Sequence, residues 1–459
     1  MKAAQALAGL WQLAQLPPEA LGCVALAGAD PVYPSSFAVG TAAQSTIAAA
    51  ALAACELGHA RGVPRQQLRV DLAHAAAECL GWFSRGGVVP DPWDPFSGLY
   101  RARDGWVRVH ANFPHHRDGA LRLLGLAPAS ARRADAEQAM QGWDALAFEQ
   151  AAAEAGLVAT ALRSFAEWDA SEPGQAVAAQ PLLTMHRVGE AEPLALPPLA
   201  ATQRPLAGVR VLDLTRILAG PVGGRALAAY GADVLLLNAP QLPNIAAIAD
   251  TSRGKRSTLL DLRAADDRAA MAALLREAHV WVQGYRPGGL NRLGFGVEEV
   301  AALRPGIVQV SLSAYGPQGP WRDRRGFDSL VQTATGFNQA EAEAAGTPDK
   351  PRALPMQILD QATGYLIAFG AAAALRRQQL EGGSWHVQVS LAQTGHWLRQ
   401  LGRVAEGFPV TPPDLQAWLE TTASGFGELR AVRHSAELSR TPAAWTLPSM
   451  PPGSHPPRW

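Results

Sequence analysis

Between residues 208 and 316 short apolar runs alternate with amphipathic ones, and this alternation restricts the fold more than any other feature. "GVRVLDLT" (208–215) has the pattern of a buried strand. It is followed by the helical "GPVGGRALAAYGA" and a second strand, "DVLLLNAP" (233–240). The order continues with helix "AAMAALLREA", strand "HVWVQGY", helix "VEEVAAL" and strand "GIVQVSLSAYG". Strands separated by helices predict a parallel sheet with crossover connections. Such sheets hold ligands beyond the C-terminal ends of their strands. The expected fold is therefore α/β: a Rossmann-like parallel sheet with crossover helices, plus a smaller α+β domain.

The chain of 459 residues is long enough for two or three cores. The stretch "AEPLALPPLAATQRPLAG" is rich in Pro and Ala and lacks periodicity, so 191–207 reads as a linker. It separates a large domain, 208–459, from what precedes it. Residues 90–190 read as a small α+β domain: "WDPFSGLYRARDGWVRVHANFPHHRDGALRLLGL" suggests a hairpin leading to a helix, with two more helices after it. Residues 1–89 form an N-terminal helix and strand segment. Within it, residues 38–80 resemble residues 357–399: each runs as an Ala-rich helix, a Gly-containing turn, a short alternating strand and a helix. This is one internal repeat, not a solenoid array.

The second copy of the repeat carries Asp360 in "ILDQATGYLIAFG", at the threshold of a long apolar helix; the first copy has Gly40 or Thr41 there. Two readings of Asp360 stand side by side. It is a helix N-cap, accepting hydrogen bonds from free backbone N–H groups, or it is a catalytic carboxylate held in a dry site.

Several functions are excluded or weakened. The turn after the first strand reads "RILAGPVGGRAL", without G-x-G-x-x-G, and the second strand ends in Asn238 where an acidic residue would bind ribose. No P-loop, H-E-x-x-H or G-x-S-x-G is present. Lys and Arg balance Asp and Glu at 40 each, which gives no support for nucleic-acid or membrane-surface binding. Cys23, Cys55 and Cys79 lack C-x-x-C spacing, so neither a disulfide framework nor a metal site is expected, and a reducing cytoplasm fits. No run of about 18 apolar residues suggests a membrane span, and the amphipathic N-terminus does not read as a signal peptide.

Positive charge gathers in four loops beside the predicted strands. These hold Arg216; Arg253, Lys255, Arg256 and Arg263; Arg286 and Arg292; and Arg322, Arg324 and Arg325. Each alone reads as a solvated surface charge, but together they suit a polyphosphate ligand. The adjacent pair His115–His116 does not share a face, and a substrate contact or loop hydrogen bond suits it better than a metal.

The ordered motifs "GVRVLDLTRILAGPVGGRALAAYGADVL", "SRGKRSTLLDL", "VQGYRPGGLNRLGF", "GFDSLVQTATG" and "ILDQATGYLIAFG" resemble the class III CoA-transferases (the CaiB/BaiF family). The resemblance covers nearly all of 205–459. Residues 38–190 are similar to the family's later helix, linker and small domain, so small-domain material precedes the nucleotide-fold half. The resemblance implies an enzyme moving CoA from an acyl-CoA donor to a carboxylic acid through an aspartyl anhydride and thioester on Asp360. It implies CoA contacts at Arg216, Ile217, Leu218, Ala219, Leu260, Leu262, Arg263, Gly284, Tyr285, Arg292 and Arg325. Coenzyme A enters as substrate and no tightly bound cofactor or metal is implied. Partners would be acyl-CoA, the acid and a second copy in a homodimer, with no nucleic acid or membrane. An acyl-CoA isomerase, a hydrolase or a silent CoA-binding homologue are the alternatives. Racemases of the family use a His at the position of Phe327, which argues against that chemistry. Asp328 reads as structural.

Overall fold

The computed structural model describes residues 1–459. The N-terminal segment forms β1 (Val24–Ala27), helix Val39–Ala60, β2 (Leu68–Asp71), helix Leu72–Cys79 and β3 (Phe83–Arg85). A small unit follows, in which β4 (Gly98–Arg101), β5 (Trp106–Val109) and β6 (Ala159–Ala161) make an antiparallel sheet. This sheet packs on three short helices through Tyr100, Val107, Phe148 and Met140. After β7 (Leu183–Gly189) the chain passes through the Pro-rich linker, which Arg61 fastens by donating to the carbonyls of Pro197 and Pro205.

The large sheet then builds from β8 (Arg210–Leu214), β9 (Asp233–Asn238), β10 (Lys255–Leu259), β11 (Val280–Gln283), β12 (Val308–Ser313) and β13 (Ser384–Ser390). Its order is β10-β9-β8-β11-β12-β13-β7, parallel throughout except for the edge strand β7. The strands anticipated from the alternation are present. β10 is an addition: its opening "GKRS" is charged, and the charge obscured a strand in the stretch read as a basic loop. β9 and β11 flank the first strand, β8, on opposite sides, so the strand order reverses there and opens a crevice at the C-terminal edge.

The two similar segments run through the same order of elements. The first copy gives helix Val39–Ala60, β2 and helix Leu72–Cys79; the second gives helix Ile358–Glu381, β13 and helix Leu391–Gln400. The two long helices pack along one another at the centre of a single large core. The surroundings repeat as well. β2 pairs with β1 in parallel and β16 (Ala436–Leu438) antiparallel, as β13 pairs with β12 in parallel and β7 antiparallel. The strand following the first copy thus completes the sheet of the second, and the strand following the second completes that of the first. A further sheet crosses the same way, with β14 (Leu419–Ser424) and β15 (Gly427–Val432) continuing into β3.

Helix Ile358–Glu381 is long and apolar enough to cross a membrane by composition, but its apolar stretch, Ile358 to Leu375, is buried inside the protein. Its Ala-rich surface serves close packing. A Cβ on Gly364 would lie 2.7 Å from the Ala219 carbonyl oxygen, and one on Gly223 would lie 2.9 Å from that of Gly364. Only glycines let helices Ala219–Ala229 and Ile358–Glu381 approach backbone to backbone.

Candidate active site

The crevice at the strand-order reversal is a cleft of about 320 Å³. Leu214 at the end of β8, Gly284 and Tyr285 after β11, and Leu312 and Ser313 at the end of β12 form its floor. Arg216, Arg286, Arg322, Arg324 and Arg325 surround it, and the small unit lays Phe113, His115 and His116 across the top. The site therefore joins the parallel sheet to residues more than a hundred positions earlier in the chain.

The first βα loop is strained at Ile217, whose φ is +77°. A β-branched residue in this region is an outlier, and such strain persists only where the surroundings impose it. Here the loop turns at once into helix Ala219–Ala229, whose start carries no side-chain cap. Its first amides are left for another acceptor, and the helix dipole favours an anion there.

Asp360 stands in the first turn of helix Ile358–Glu381, four residues before Gly364. Positions i and i+4 share a helix face, so Asp360 lies on the face that meets the Ile217–Ala219 loop. Its own side chain does not cap the helix. That task falls to Asp328, whose Oδ2 accepts the Asp360 backbone N–H at 2.9 Å, while its Oδ1 accepts from Gln332 (2.5 Å). The first copy does likewise with a different residue: Asp30 accepts the N–H groups of Gly40 (3.0 Å) and Thr41 (2.7 Å). The N-cap reading of Asp360 is thus set aside, because a carboxylate from another segment performs it in both copies.

Asp360 is 8% exposed. Burial and the nearby Asp328 carboxylate push its pKa well up. Asp328, fully buried, is raised too, chiefly by burial and opposed by its hydrogen bonds and the Arg108 guanidinium. Two like charges this close favour one shared proton. Around them His110 stacks on Phe327 with ring centroids 4.0 Å apart, and burial lowers its pKa to about 3. His116 falls to about 4 through burial, aided by His115, Arg325 and Arg216. Arg325 Nη1 lies 3.0 Å from His116 Nε2. Because a guanidinium only donates, Nε2 must accept and the proton sits on Nδ1, which has no partner.

Of the positions drawn from the resemblance, the cleft gathers Arg216, Ile217, Gly284, Tyr285 and Arg325. Leu218 and Ala219 lie immediately behind, at the start of the helix. Leu260 is buried in the core beneath helix Ala265–Glu277, with Leu262 packed at its edge. Arg263 is exposed and paired with Asp261, and Arg292 is exposed with its Nε near the Gly288 carbonyl.

The basic cluster read in 250–263 needs correction. Lys255 and Arg256 begin β10, so they lie at the opposite edge of a parallel sheet from the cleft. Lys255 is fully buried, donating to Asp213 (2.8 Å) and the Pro221 carbonyl (2.7 Å). Arg253 is buried against Asp250 and over the Trp445 ring. Sequence reasoning also undervalued Phe113 and the two histidines, whose only signal was the string "NFPHHR". No group of three His, Cys, Asp or Glu side chains converges to hold a metal.

The profile of CoA-transferase family III matches residues 206–404, the stretch that builds the sheet, the cleft and Asp360. An "Acyl-CoA transferase" of Gibberella moniliformis is 32% identical over 314 residues, covering 64% of this chain and 55% of the relative. A "Succinate--glutarate CoA-transferase" of Agrobacterium fabrum is 32% identical over 206 residues, covering 41% and 51%. A solved CAIB/BAIF family protein from Brucella suis is 25% identical with a TM-score of 0.38, covering 49% of this chain and 65% of that one. The chain spans about half the length of the curated relatives it matches.

Proposed function

We propose that the protein transfers CoA from an acyl-CoA donor to a carboxylic acid, with Asp360 as the nucleophile. One observation carries this reading: Asp360 is an almost buried carboxylate relieved of the capping task, on the helix face that meets the uncapped loop beside the cleft. In the first step its carboxylate attacks the thioester carbonyl, the C–S bond breaks, and CoA leaves as the thiolate, forming an acyl-aspartyl anhydride. The thiolate then attacks the aspartyl carbonyl and expels the donor acid, leaving an aspartyl-CoA thioester. The acceptor carboxylate attacks that thioester and releases CoA thiolate again. The thiolate takes the new acyl group and restores Asp360. Covalent catalysis of this kind divides one exchange into easier steps.

The remaining residues fit their tasks. Arg216 and Arg286 offer guanidinium groups to phosphates, with Arg325 and His116 Nδ1–H on the facing wall. The uncapped amides at Leu218–Ala219 suit the oxyanion of each tetrahedral intermediate. Phe327 can move no proton, which disfavours isomerisation by a His at that place. Three free cysteines support a reducing, cytoplasmic setting. Assembly as a homodimer competes with the strand exchange inside the single chain, and we take the chain to complete its own fold.

The test is peptide mass spectrometry after incubation with a panel of acyl-CoAs and hydroxylamine. A hydroxamate on the Asp360 peptide is expected, together with a loss of at least ~10³-fold in transfer rate for Asp360→Ala. Full activity in that variant would overturn the assignment, and sustained multiple-turnover CoA release without acceptor would identify a hydrolase.

A further inference from the structure

The cleft owes three of its guanidinium groups to one irregular segment. Residues 317–326 join the end of β12 to helix Asp328–Ala334 without a helix or strand of their own, and they carry Arg322, Arg324 and Arg325 into the cleft wall. Cations this close in the chain repel one another and hold no direction unless outside groups fix them. Those groups come from the small unit.

Glu149, on helix Ala145–Glu154, is 3% exposed. Its Oε1 accepts from the Thr160 hydroxyl (2.7 Å) and from Arg163 Nη1 (3.2 Å), and its Oε2 accepts from Arg163 Nη2. Arg324 Nη2 reaches the same Oε1 at 3.2 Å and lies 3.4 Å from the Glu149 backbone carbonyl oxygen. The Trp321 ring stands between the two guanidiniums, 5.2 Å from Arg163 Cζ and 3.9 Å from Arg324 Cζ. One buried carboxylate thus offsets two cations, one from each unit, and fastens the segment at Arg324. The next residue is fastened as well. Arg325 Nη1 donates to the Gly156 carbonyl (2.8 Å), just past the helix of Glu149, and lies 3.0 Å from His116 Nε2. Both partners use Nη1, so the other N–H groups of Arg325 stay available to an anion in the cleft that it lines.

We propose that Glu149 is a positioning residue: without meeting the substrate, it sets how tightly the cleft holds the CoA phosphates by fixing Arg324 and, through it, Arg325. The assignment rests on the reading of the cleft as a CoA site. Glu149→Gln keeps the shape of the side chain and removes its charge. Arg163 and Arg324 then face each other uncompensated, the segment loosens, and its arginines lose their direction.

The experiment compares the full native chain with Glu149→Gln. Trypsin cuts after Arg, so mass mapping of cuts after Arg322, Arg324 and Arg325 reads the segment without a ligand; these cuts should appear faster in the variant, with cuts elsewhere unchanged. Calorimetric titration with CoA should show binding weakened about tenfold, the scale of a lost hydrogen bond to a charged group. KM for an acyl-CoA should rise with kcat held. The same acyl group on pantetheine lacks the phosphates, and its kcat/KM should not change, whereas a general loss of structure would lower both substrates alike. Arg324→Gln attacks the contact from the other side and leaves Glu149 paired with Arg163, so it serves even where Glu149→Gln fails to fold. It should also weaken CoA binding, and the double variant should lose no more than the worse single one. Unchanged CoA affinity in either variant, unchanged tryptic cutting, an equal loss with the pantetheine substrate, or additive losses in the double variant would each overturn the assignment of Glu149. Absence of CoA binding by the native chain would instead overturn the reading of the cleft, and the assignment with it.

Discussion

Asp328 and Asp360 show how one backbone hydrogen bond sets two chemical roles. By accepting the N–H of Asp360, Asp328 starts the helix and leaves the neighbouring carboxyl without that task, as the proposed nucleophile requires. Burial holds both carboxyls toward their protonated forms, and for Asp360 the nearby Asp328 charge adds to it. A nucleophilic carboxylate works only when ionised, so kcat/KM should fall as pH drops through the raised value of the pair. Asp328→Asn keeps an oxygen to accept the Asp360 N–H but removes the like charge, so the acidic limb should move to lower pH. Stability follows the same sign: a carboxyl raised on folding destabilises the fold above its ordinary range near about 4. Asp328→Asn also loses the bond from Gln332 at either pH, so its change in Tm should be more favourable at pH 7 than at pH 3. A pH–rate profile and two melting curves check both statements; an unmoved acidic limb would remove Asp328 from the tuning of Asp360. Asp360 stood out in the sequence as a lone acid before a long apolar helix, which left both the cap and the nucleophile open. Asp328 as the cap was not legible, since donor and acceptor lie 32 positions apart and meet only through tertiary packing.

At the level of elements, the position of Asp360 depends on two glycines. Helices Ala219–Ala229 and Ile358–Glu381 touch through Gly223 and Gly364, which sets Asp360 against the strained Ile217 loop. Gly364→Val would drive side-chain atoms into the Ala219 carbonyl and Val222, and overpacking of this kind costs about 1–3 kcal/mol. Because a misplacement of about 1 Å can cost ~10²-fold, the expected signature is a kcat loss of that order along with a lower Tm. Gly9→Ala supplies the control. A Cβ there meets nothing within 4 Å in helix Ala3–Leu13, so it should stabilise by about 0.5–1 kcal/mol and leave kcat unchanged. Melting curves and steady-state kinetics on both variants make the comparison; unchanged kcat in Gly364→Val would mean that the helix crossing does not position the carboxylate. The strands β8, β9, β11 and β12 were readable because buried parallel strands are continuous apolar runs. β7 and β16 were not, since a short strand that completes another copy's sheet carries no local sign of its partner.

For the whole molecule, the reciprocal exchange of β7 and β16 makes two repeat copies into one folding unit, and a buried polar network ties their far ends together. Glu78, from the first copy, accepts from Tyr365 of the second (2.6 Å) and from the Ser435 N–H and hydroxyl (2.8 and 2.7 Å). Its Oε1 lies 2.8 Å from His434, whose other ring nitrogen reaches Tyr230 at 2.9 Å, and Arg225 stands 3.7 Å away. These partners hold the Glu78 carboxyl far below its usual range despite its burial. A charge this deeply buried persists only when so paired. The second copy's strand exchange, its helix and this network are all satisfied within one chain, and just seven large apolar side chains are exposed, Val88 most of all at 68%. A chain that needed a second copy to fill its sheets would expose a broad apolar surface when alone. Native mass spectrometry at low micromolar concentration should accordingly give a species at the single-chain mass of 48.4 kDa, with transfer activity per chain independent of concentration. A species of twice that mass that survives dilution, with activity falling as it dissociates, would show that the exchange inside the chain does not suffice and that a second copy completes the site.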